Sequence, residues 1–220
     1  CKGEDAEGVI GGIDFLRKVV RNEDIDLGKN VAIVGGGNTA MDACRTAVRL
    51  GADKVYNIYR RTKDEMPADM IEIEEAEEEG VIFLNLTNPL EIISDENGHC
   101  RQMVLQVMEL GEPDASGRRA PVPVEGKTET IDVDTVILAI GQRVNAEGMN
   151  GVELTRKGGL VYDKDTYMTA LPGVFAGGDC GNDKISIAVE SIGDAKKSYL
   201  IVDAYLRGEE IKYEPNYYVT

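Results

Sequence analysis

The sequence predicts an α/β protein built on a doubly wound, parallel sheet with an antiparallel hairpin inserted into it. Apolar runs of strand length alternate with stretches of helical periodicity, and a glycine turn at residues 35–37 joins the first strand to its helix. Asn97-Gly98 separates two further apolar runs, as in a tight hairpin. Nothing repeats at a fixed period. The alternation of strands and helices therefore determines the predicted fold class.

Periodicity and capping residues define the elements of the N-terminal half. Helical spacing of apolar residues predicts helices over residues 9–21, Thr39–Leu50 and Pro67–Glu79. Short apolar runs predict strands at residues 31–34, Lys54–Tyr59 and Val81–Leu86. A polar, acidic break at residues 22–28 is a plausible linker. The glutamates of the third helix indicate a solvated helix face rather than a catalytic carboxylate cluster.

The C-terminal half is predicted to contain more strands and turns and one long helix. The hairpin signal lies between apolar runs at Leu90–Ser94 and Met103–Leu110. Residues Glu112–Val124 are rich in Pro, Gly and Arg and are expected to form an exposed loop. Further strands are expected at Thr135–Ile140 and Val174–Ala176, with a tight reversal at Gly158-Gly159 between them. A helical pattern extends from Ile185 to Leu206 and is interrupted by Gly193.

Composition excludes several classes of function. Apolar residues make up 42% and charged residues 29% of the chain, as in an ordinary globular protein. The net charge of −16 argues against nucleic-acid binding, which needs clustered cations. No apolar stretch is long enough to cross a bilayer, so no membrane association is expected. The four cysteines form no CxxC pair, which predicts neither a dithiol redox centre nor a thiolate metal site and fits a cytoplasmic location.

The glycine turn and a pair of arginines predict a dinucleotide site. Glycines allow the backbone to approach a pyrophosphate, which the free N–H groups of a helix N-terminus stabilise. An acidic residue after the second strand would bind a ribose 2′-hydroxyl, whereas Arg60 and Arg61 suit a 2′-phosphate. The chain is therefore expected to prefer NADP(H) to NAD(H). A plain strand-to-helix turn, with arginines that serve only solubility, is the alternative.

A second glycine motif follows a short apolar run near the C-terminus. Two glycines and an aspartate, Gly177-Gly178-Asp179, come after Val174–Ala176 and before the long helix. An aspartate in that place can accept a hydrogen bond from a cofactor hydroxyl while the glycines allow close approach. Taken alone, the motif is more often a simple turn.

Five segments in this order and spacing resemble the glutamate synthase small-subunit family of flavoproteins. They read "VAIVGGGNTAMDACRTAVRLGADKVYNIYRR", "EMPA", "GEPDASGRR", "VILAIGQ" and "GVFAGGDC". The set is also similar to the flavin and NADPH part of dihydropyrimidine dehydrogenase, and the similarity covers nearly the whole chain. In such proteins an NADPH domain of Rossmann-like type is inserted into an FAD domain.

The resemblance implies a role for each of these segments. The NADPH pyrophosphate would lie on the turn formed by Gly35, Gly36, Gly37, Asn38, Thr39 and Ala40, with Arg60 and Arg61 at the 2′-phosphate. Residues Ala139, Ile140 and Gly141 would line the exit of the nicotinamide domain. Gly178 and Asp179 would contact the ribityl-pyrophosphate portion of FAD. The helix that begins near Ile187 and Ala188 would point its N-terminus at the isoalloxazine.

The chain departs from the family by lacking an upstream GxGxxG for the FAD pyrophosphate and the cysteines of iron–sulfur clusters. It also starts at Cys1 without a methionine, so we expect a fragment of a longer protein whose missing region could hold such clusters. The expected division is residues 1–28 as helix and linker from the FAD domain, 29–142 as the NADPH domain, and 143–220 as the C-terminal part of the FAD domain.

The resulting hypothesis is an NADPH-dependent flavin oxidoreductase that passes hydride from NADPH to FAD and electrons to a partner. That partner would be an electron-accepting subunit or domain, with the glutamate synthase large subunit as one candidate. The cofactors carry this chemistry, so no catalytic residue is expected, and the fragment alone, with an incomplete FAD site, is expected to be inactive. A homo-oligomer is expected to form through the C-terminal segment. The alternative is a non-catalytic nucleotide-binding or assembly module; a thioredoxin-reductase-like enzyme is disfavoured because the insert has no CxxC.

Overall fold

A computed structural model describes residues 1–113, 119–181 and 188–209. The chain divides into two compact units, Cys1–Gly141 and Gln142–Thr220. The first unit contains the glycine turn, and the second contains the Gly-Gly-Asp motif.

A five-stranded parallel sheet forms the centre of the first unit. Its strands are β1 (Val9–Gly11), β2 (Asn30–Val34), β3 (Lys54–Tyr59), β4 (Ile82–Asn85) and β8 (Thr135–Leu138). Their order across the sheet is β1-β8-β2-β3-β4. In this order β2 lies between β8, which comes late in the chain, and β3, which follows it directly. The carboxyl ends of β8, β2 and β3 therefore meet at one edge, where such folds bind their ligands.

Three helices cover one face of this sheet: α1 (Gly12–Val20), α2 (Asn38–Arg49) and α3 (Met70–Glu78). Their apolar faces bury Phe15, Met41 and Ile73 completely, against Val31 and Ile33 of β2. Complete burial of such side chains stabilises the fold by about 1.5–3 kcal/mol each. The helix layer thus fixes β2 and the start of α2 relative to each other.

An antiparallel sheet covers the other face of the parallel sheet. It consists of β5 (Thr87–Ser94), β6 (Cys100–Pro113) and β7 (Arg119–Asp132), in that order. Met103 and Leu105 of β6 pack in one buried cluster with Ala32, Ile58 and Val136 of the parallel strands. The predicted α/β class with an antiparallel insert is confirmed, and the insert has three strands rather than two.

Two predicted elements of the first unit are wrong in detail. Residues 9–11 are strand β1 rather than helix, because they pair in parallel with Val136–Leu138 of β8. Within Glu112–Val124 the described residues are strand rather than loop, although they are mostly exposed, and residues 114–118 lie outside the described part. The first unit also includes residues 1–28, through β1 and the buried Phe15 of α1, and their expected origin in an FAD domain stays a prediction.

The second unit has little regular structure apart from one long helix, α4 (Ala188–Arg207). The expected strand at Val174–Ala176 is only a single bridge between Met168 and Phe175, directly after a tight turn in which the Val174 N–H donates to the Leu171 carbonyl oxygen at 3.1 Å. The reversal at Gly158 is present, with Gly158 at φ +89° donating to the Thr155 carbonyl oxygen at 2.9 Å. None of the helices in the described ranges has the length and apolar character needed to span a membrane.

Candidate nucleotide-binding site

The glycine turn joins β2 to α2 at the carboxyl edge of the parallel sheet. Gly35 has φ +146°, a conformation that favours glycine, and its N–H donates to the Ile58 carbonyl oxygen at 3.0 Å. A Cβ at Gly35 would lie 2.4 Å from the Ala139 carbonyl oxygen, and one at Gly36 would lie 2.5 Å from the Tyr59 ring. The neighbouring strands therefore require glycine at both positions.

The start of α2 presents free N–H groups beside open space. Gly37 is the N-cap, and a Cβ there would find its nearest heavy atom, Pro67 Cγ, 4.0 Å away. Among the described residues, none accepts a hydrogen bond from the N–H of Gly36, Gly37, Asn38 or Thr39. Within the same described part of the chain, the first turn of α2 holds no acidic residue. Four donors and the positive end of the helix dipole are thus available to an anion.

The two arginines follow β3 directly at the same edge. Arg60 is exposed and Arg61 is half-buried. Neither forms an ion pair with any residue in the described ranges, and the buried Nε of Arg61 has no hydrogen-bond partner there. Partial burial of an unpaired guanidinium costs desolvation free energy, and a bound anion would offset that cost. These two side chains therefore suit an anionic group placed beside the glycine turn.

The segment after the arginines folds back onto the glycine turn. Thr62 and Glu65 form a reciprocal capping box around the 3₁₀ turn at Lys63–Glu65. The Ala68 N–H donates to the Gly36 carbonyl oxygen at 3.1 Å, and the Asp69 N–H donates to Oδ1 of Asn38 at 3.0 Å. These contacts tie the segment to the turn and to the first residue of α2. The sequence predicted a helix from Pro67, whereas α3 begins at Met70 with Asp69 as its N-cap, so Ala68 and Asp69 precede the helix and contact the turn.

Residues Ala139–Gly141 leave β8 next to the turn. The Ala139 N–H donates to the Val34 carbonyl oxygen at 2.8 Å, which places the exit of β8 beside Gly35. Ile140 is 69% exposed, and Gly141 has φ +105°. The structure thus brings three of the predicted groups to one edge of the sheet: residues 35–40, Arg60-Arg61 and residues 139–141. Ala40 is completely buried, so within this group it packs rather than faces solvent.

Asn57 lies beneath the turn and was not predicted as a site residue. It is completely buried in β3, and its Nδ2 donates to the Gly35 carbonyl oxygen at 2.9 Å and to Cys44 Sγ at 3.7 Å. Burial raises the pKa of the Cys44 thiol to about 12, and the contact with Asn57 lowers it slightly. A lone polar residue within the apolar run Val55–Tyr59 was the signal that could have identified it.

The second unit holds the Gly-Gly-Asp motif in a tight turn against α4. Gly178 has φ +65°, and its N–H donates to Oδ2 of Asp194 at 2.9 Å, while the other oxygen of Asp194 accepts from the Tyr167 hydroxyl at 2.9 Å. The Ser191 hydroxyl donates to Asp179 at 3.3 Å. Ala188 is the exposed first residue of α4, and Ile187 lies outside the described residues. Among the described residues, no group of three or more potential metal ligands is found.

Comparison with known proteins identifies relatives for nearly the whole chain. The family model described as pyridine nucleotide-disulphide oxidoreductase matches residues 1–195. The chain is 43% identical over 209 residues to the NADP(+)-dependent formate dehydrogenase subunit beta of Moorella thermoacetica, covering 93% of this chain and 29% of that protein. It is 36% identical over 216 residues to the glutamate synthase [NADPH] small chain of Escherichia coli K12, covering 90% of this chain and 45% of that protein. The chain thus spans less than half the length of these two relatives.

Solved structures share the fold at low sequence identity. FprA from Mycobacterium tuberculosis, in complex with NADPH, matches with a TM-score of 0.74 at 18% identity, over 98% of this chain and 63% of that one. Thioredoxin reductase from T. acidophilum matches with a TM-score of 0.66 at 20% identity, over 83% of this chain and 53% of that one. These likenesses concern the fold alone. Together with the curated relatives, which include the glutamate synthase small chain resembled by the sequence motifs, the family match shows that the chain belongs to the pyridine nucleotide-disulphide oxidoreductase family.

Proposed function

We propose that this chain is the NADPH-binding portion, with part of the FAD-binding portion, of a glutamate synthase small-subunit-like flavoprotein oxidoreductase. When bound, the nicotinamide supplies a hydride and the flavin accepts it, with electrons going on to a partner subunit or domain. The names of both curated relatives contain NADP(H), which supports the choice of nucleotide. We assign nucleotide binding to residues 29–142 and flavin contacts to residues 143–220, with residues 1–28 as helix and linker from the FAD domain.

The observation that carries this proposal is the pairing of free N–H donors with unpaired arginines at one sheet edge. The N–H groups of residues 36–39, at the start of α2, have no acceptor among the described residues. Arg60 and Arg61 follow the neighbouring strand, β3, whose Ile58 stands opposite Val34 of β2. A pyrophosphate on the first group and a 2′-phosphate on the second would satisfy both. The residues present therefore fit NADP(H).

In this proposal each group of predicted residues in the first unit has one binding or structural role. Residues 36–39 hold the pyrophosphate through backbone donors, and Gly35 and Ala40 allow the turn to form. Arg60 and Arg61 bind the 2′-phosphate and so select against the non-phosphorylated nucleotide. Residues Ala139–Gly141 line the edge beside the turn. The backbone and side chains orient the nucleotide, and no side chain is assigned a proton transfer.

Fewer residues are assigned to FAD in the second unit than to the nucleotide in the first. Asp179, Ile187 and Ala188, the last being the first residue of α4, are assigned to FAD. The Gly178 N–H is already bonded to Asp194, so the approach of FAD to Gly178 would rely on its missing side chain rather than on its donor. The sequence has no CxxC pair, so we assign no iron–sulfur cluster to these residues, and we propose that the electron acceptor is a separate subunit or domain.

Calorimetric titration with NADP⁺ and NAD⁺ tests the nucleotide assignment. A charge-assisted contact contributes about 1.5–3 kcal/mol, so NADP⁺ is expected to bind about ten-fold or more tightly than NAD⁺. Arg60→Ala with Arg61→Ala should remove this difference by weakening NADP⁺ alone. Arg17→Ala with Arg21→Ala, two exposed arginines of the same unit, is the matched control. Equal affinities for the two nucleotides in the unmodified chain would reject the assignment.

A further inference from the structure

Asn57 orients a peptide group of the glycine turn from below. Its side chain lies between β3 and α2 and is completely buried. The Nδ2 group donates to the Gly35 carbonyl oxygen at 2.9 Å, within ordinary hydrogen-bond length. This carbonyl belongs to the same peptide plane as the N–H of Gly36. The contact therefore fixes the direction of both groups.

Peptide geometry determines which way the Gly36 N–H points. In a trans peptide the C=O and N–H bonds point in opposite directions. With its carbonyl held toward the buried Asn57, the Gly35–Gly36 peptide directs its N–H away from Asn57. Among the described residues, nothing accepts from that N–H. It is the first of the four N–H donors, on residues 36–39, that no described residue uses.

The stability of the fold does not by itself account for an asparagine at this buried position. Its Oδ1 is buried without a hydrogen-bond partner in the described part of the chain. A buried, unsatisfied acceptor destabilises the folded state, and an apolar side chain of the same shape would avoid that penalty. The neighbours of Asn57 in β3, Val55 and Ile58, are the apolar residues expected of a buried strand.

We propose that Asn57 is a positioning residue for the pyrophosphate site, holding the Gly35–Gly36 peptide so that its N–H faces the anion. This inference rests on the proposed function, because it assumes that a dinucleotide phosphate occupies the turn. It goes beyond the proposed function by assigning different residues to the two phosphate-binding parts of the site. Asn57 acts on the pyrophosphate, whereas Arg60 and Arg61 act on the 2′-phosphate.

The test compares the binding affinities of two ligands that have only the 2′-phosphate in common. NADP⁺ carries both the pyrophosphate and the 2′-phosphate, whereas adenosine 2′-phosphate carries the 2′-phosphate alone. Asn57→Leu removes the donor but fills the space. We expect it to bind NADP⁺ about ten-fold more weakly, since the Gly36 N–H, one charge-assisted donor, is no longer held toward the phosphate, and to bind adenosine 2′-phosphate as the wild type does. Its melting temperature should stay close to that of the wild type, because the unsatisfied Oδ1 disappears while the Gly35 carbonyl oxygen loses its partner.

Thr135→Val is the matched control. Thr135 is a buried residue of β8 whose hydroxyl donates to the Leu27 carbonyl oxygen at 2.9 Å, at the amino end of the sheet rather than its carboxyl edge. It should leave both affinities unchanged. Arg60→Ala should weaken the binding of both ligands, whereas Asn57→Leu should weaken the binding of NADP⁺ alone. If Asn57→Leu does not fold, Asn57→Ala repeats the comparison without added bulk.

Two results would overturn the inference. Unchanged NADP⁺ affinity in a folded Asn57 variant would mean that the peptide needs no such support. Equal weakening of both ligands would mean that Asn57 serves the fold alone. Failure of the wild type to bind either ligand would instead reject the proposed function, and this inference with it.

Discussion

At the scale of single residues, two glycines of one turn differ sharply in their tolerance of a side chain. Gly35→Ala would place Cβ 2.4 Å from a backbone oxygen at φ +146°, so neither strain nor contact can relax easily. We expect it to lower the free energy of unfolding by at least about 2 kcal/mol. Gly37→Ala, in open space at φ −96°, should change it by less than about 1 kcal/mol. Urea denaturation of both variants measures this, and equal losses would show that the turn is not packed as described.

A second prediction at this scale concerns Glu72 of α3. Burial raises the pKa of its carboxyl, Asp42 and Asp69 raise it further, and Arg45 opposes them. A folded pKa above the unfolded one means that stability is greatest below the unfolded pKa and is lost as pH rises through the folded pKa. Glu72→Gln should therefore raise the melting temperature at neutral pH and change it little in acid. Glu74→Gln, an exposed carboxylate of the same helix, is the control; a lower melting temperature of Glu72→Gln at neutral pH would contradict the prediction.

Site residues that belong to a local sequence pattern could be predicted from the sequence. Site residues that reach the turn only through tertiary packing could not. Gly35–Ala40 and the two arginines stand in a local pattern of strand, turn, helix and strand, which their order alone reveals. Asn57 and the segment at Ala68 and Asp69 meet the turn only through the folded sheet. Their contacts join residues that are distant along the chain, so no local signal described them fully.

At the scale of elements, the same distinction between local pattern and distant packing explains the two wrong predictions in the first unit, at residues 9–11 and Glu112–Val124. Strand β1 has three residues and is defined by pairing with β8, far along the chain, so periodicity extended the following helix over it. Strand β7 contains Pro121 and Pro123, which suggested a loop. It is an edge strand of the antiparallel sheet, where a missing N–H can face solvent. The helices α2 and α3 and strands β2 and β3 follow local periodicity and were predicted close to their observed bounds.

Helix α4 leads to a prediction about association. Of its described residues only Ile201 is buried, while Val189, Ile192, Tyr199 and Leu206 are 54–77% exposed at spacings of three and seven residues. Such a stripe along one helix face resembles a helix-pairing seam, so we expect the chain to self-associate through α4. The net charge of −16 opposes association at low salt and is screened at high salt.

Light scattering at several concentrations and salt levels measures this association. Ile192→Lys with Tyr199→Lys should yield a monomer. Val20→Lys should not, although Val20 is 82% exposed, because it belongs to α1 of the first unit and not to α4. A wild-type chain that stays monomeric at high concentration and high salt would show that the stripe does not pair.

At the scale of the whole molecule, the proposed flavin site predicts weak retention of FAD. The sequence contains one Gly-x-Gly-x-x-Ala turn, at residues 35–40, and we assign it to NADPH. Asp179 and the start of α4 then offer few contacts to offset the loss of ligand freedom on binding. The purified chain should therefore be colourless after gel filtration. Stoichiometric flavin in its absorbance spectrum would mean that a second copy or another chain completes the site.

The central claim is that the carboxyl edge of β2 and β3 binds a phosphorylated dinucleotide. The most direct test is NMR chemical-shift mapping of the backbone amides during titration with NADP⁺. The account predicts saturable shifts that are largest for residues 36–39 and for Arg60 and Arg61, with the Gly36 amide among the strongest because its N–H meets the pyrophosphate. Saturable shifts concentrated elsewhere in the chain, or none at saturating NADP⁺, would contradict it.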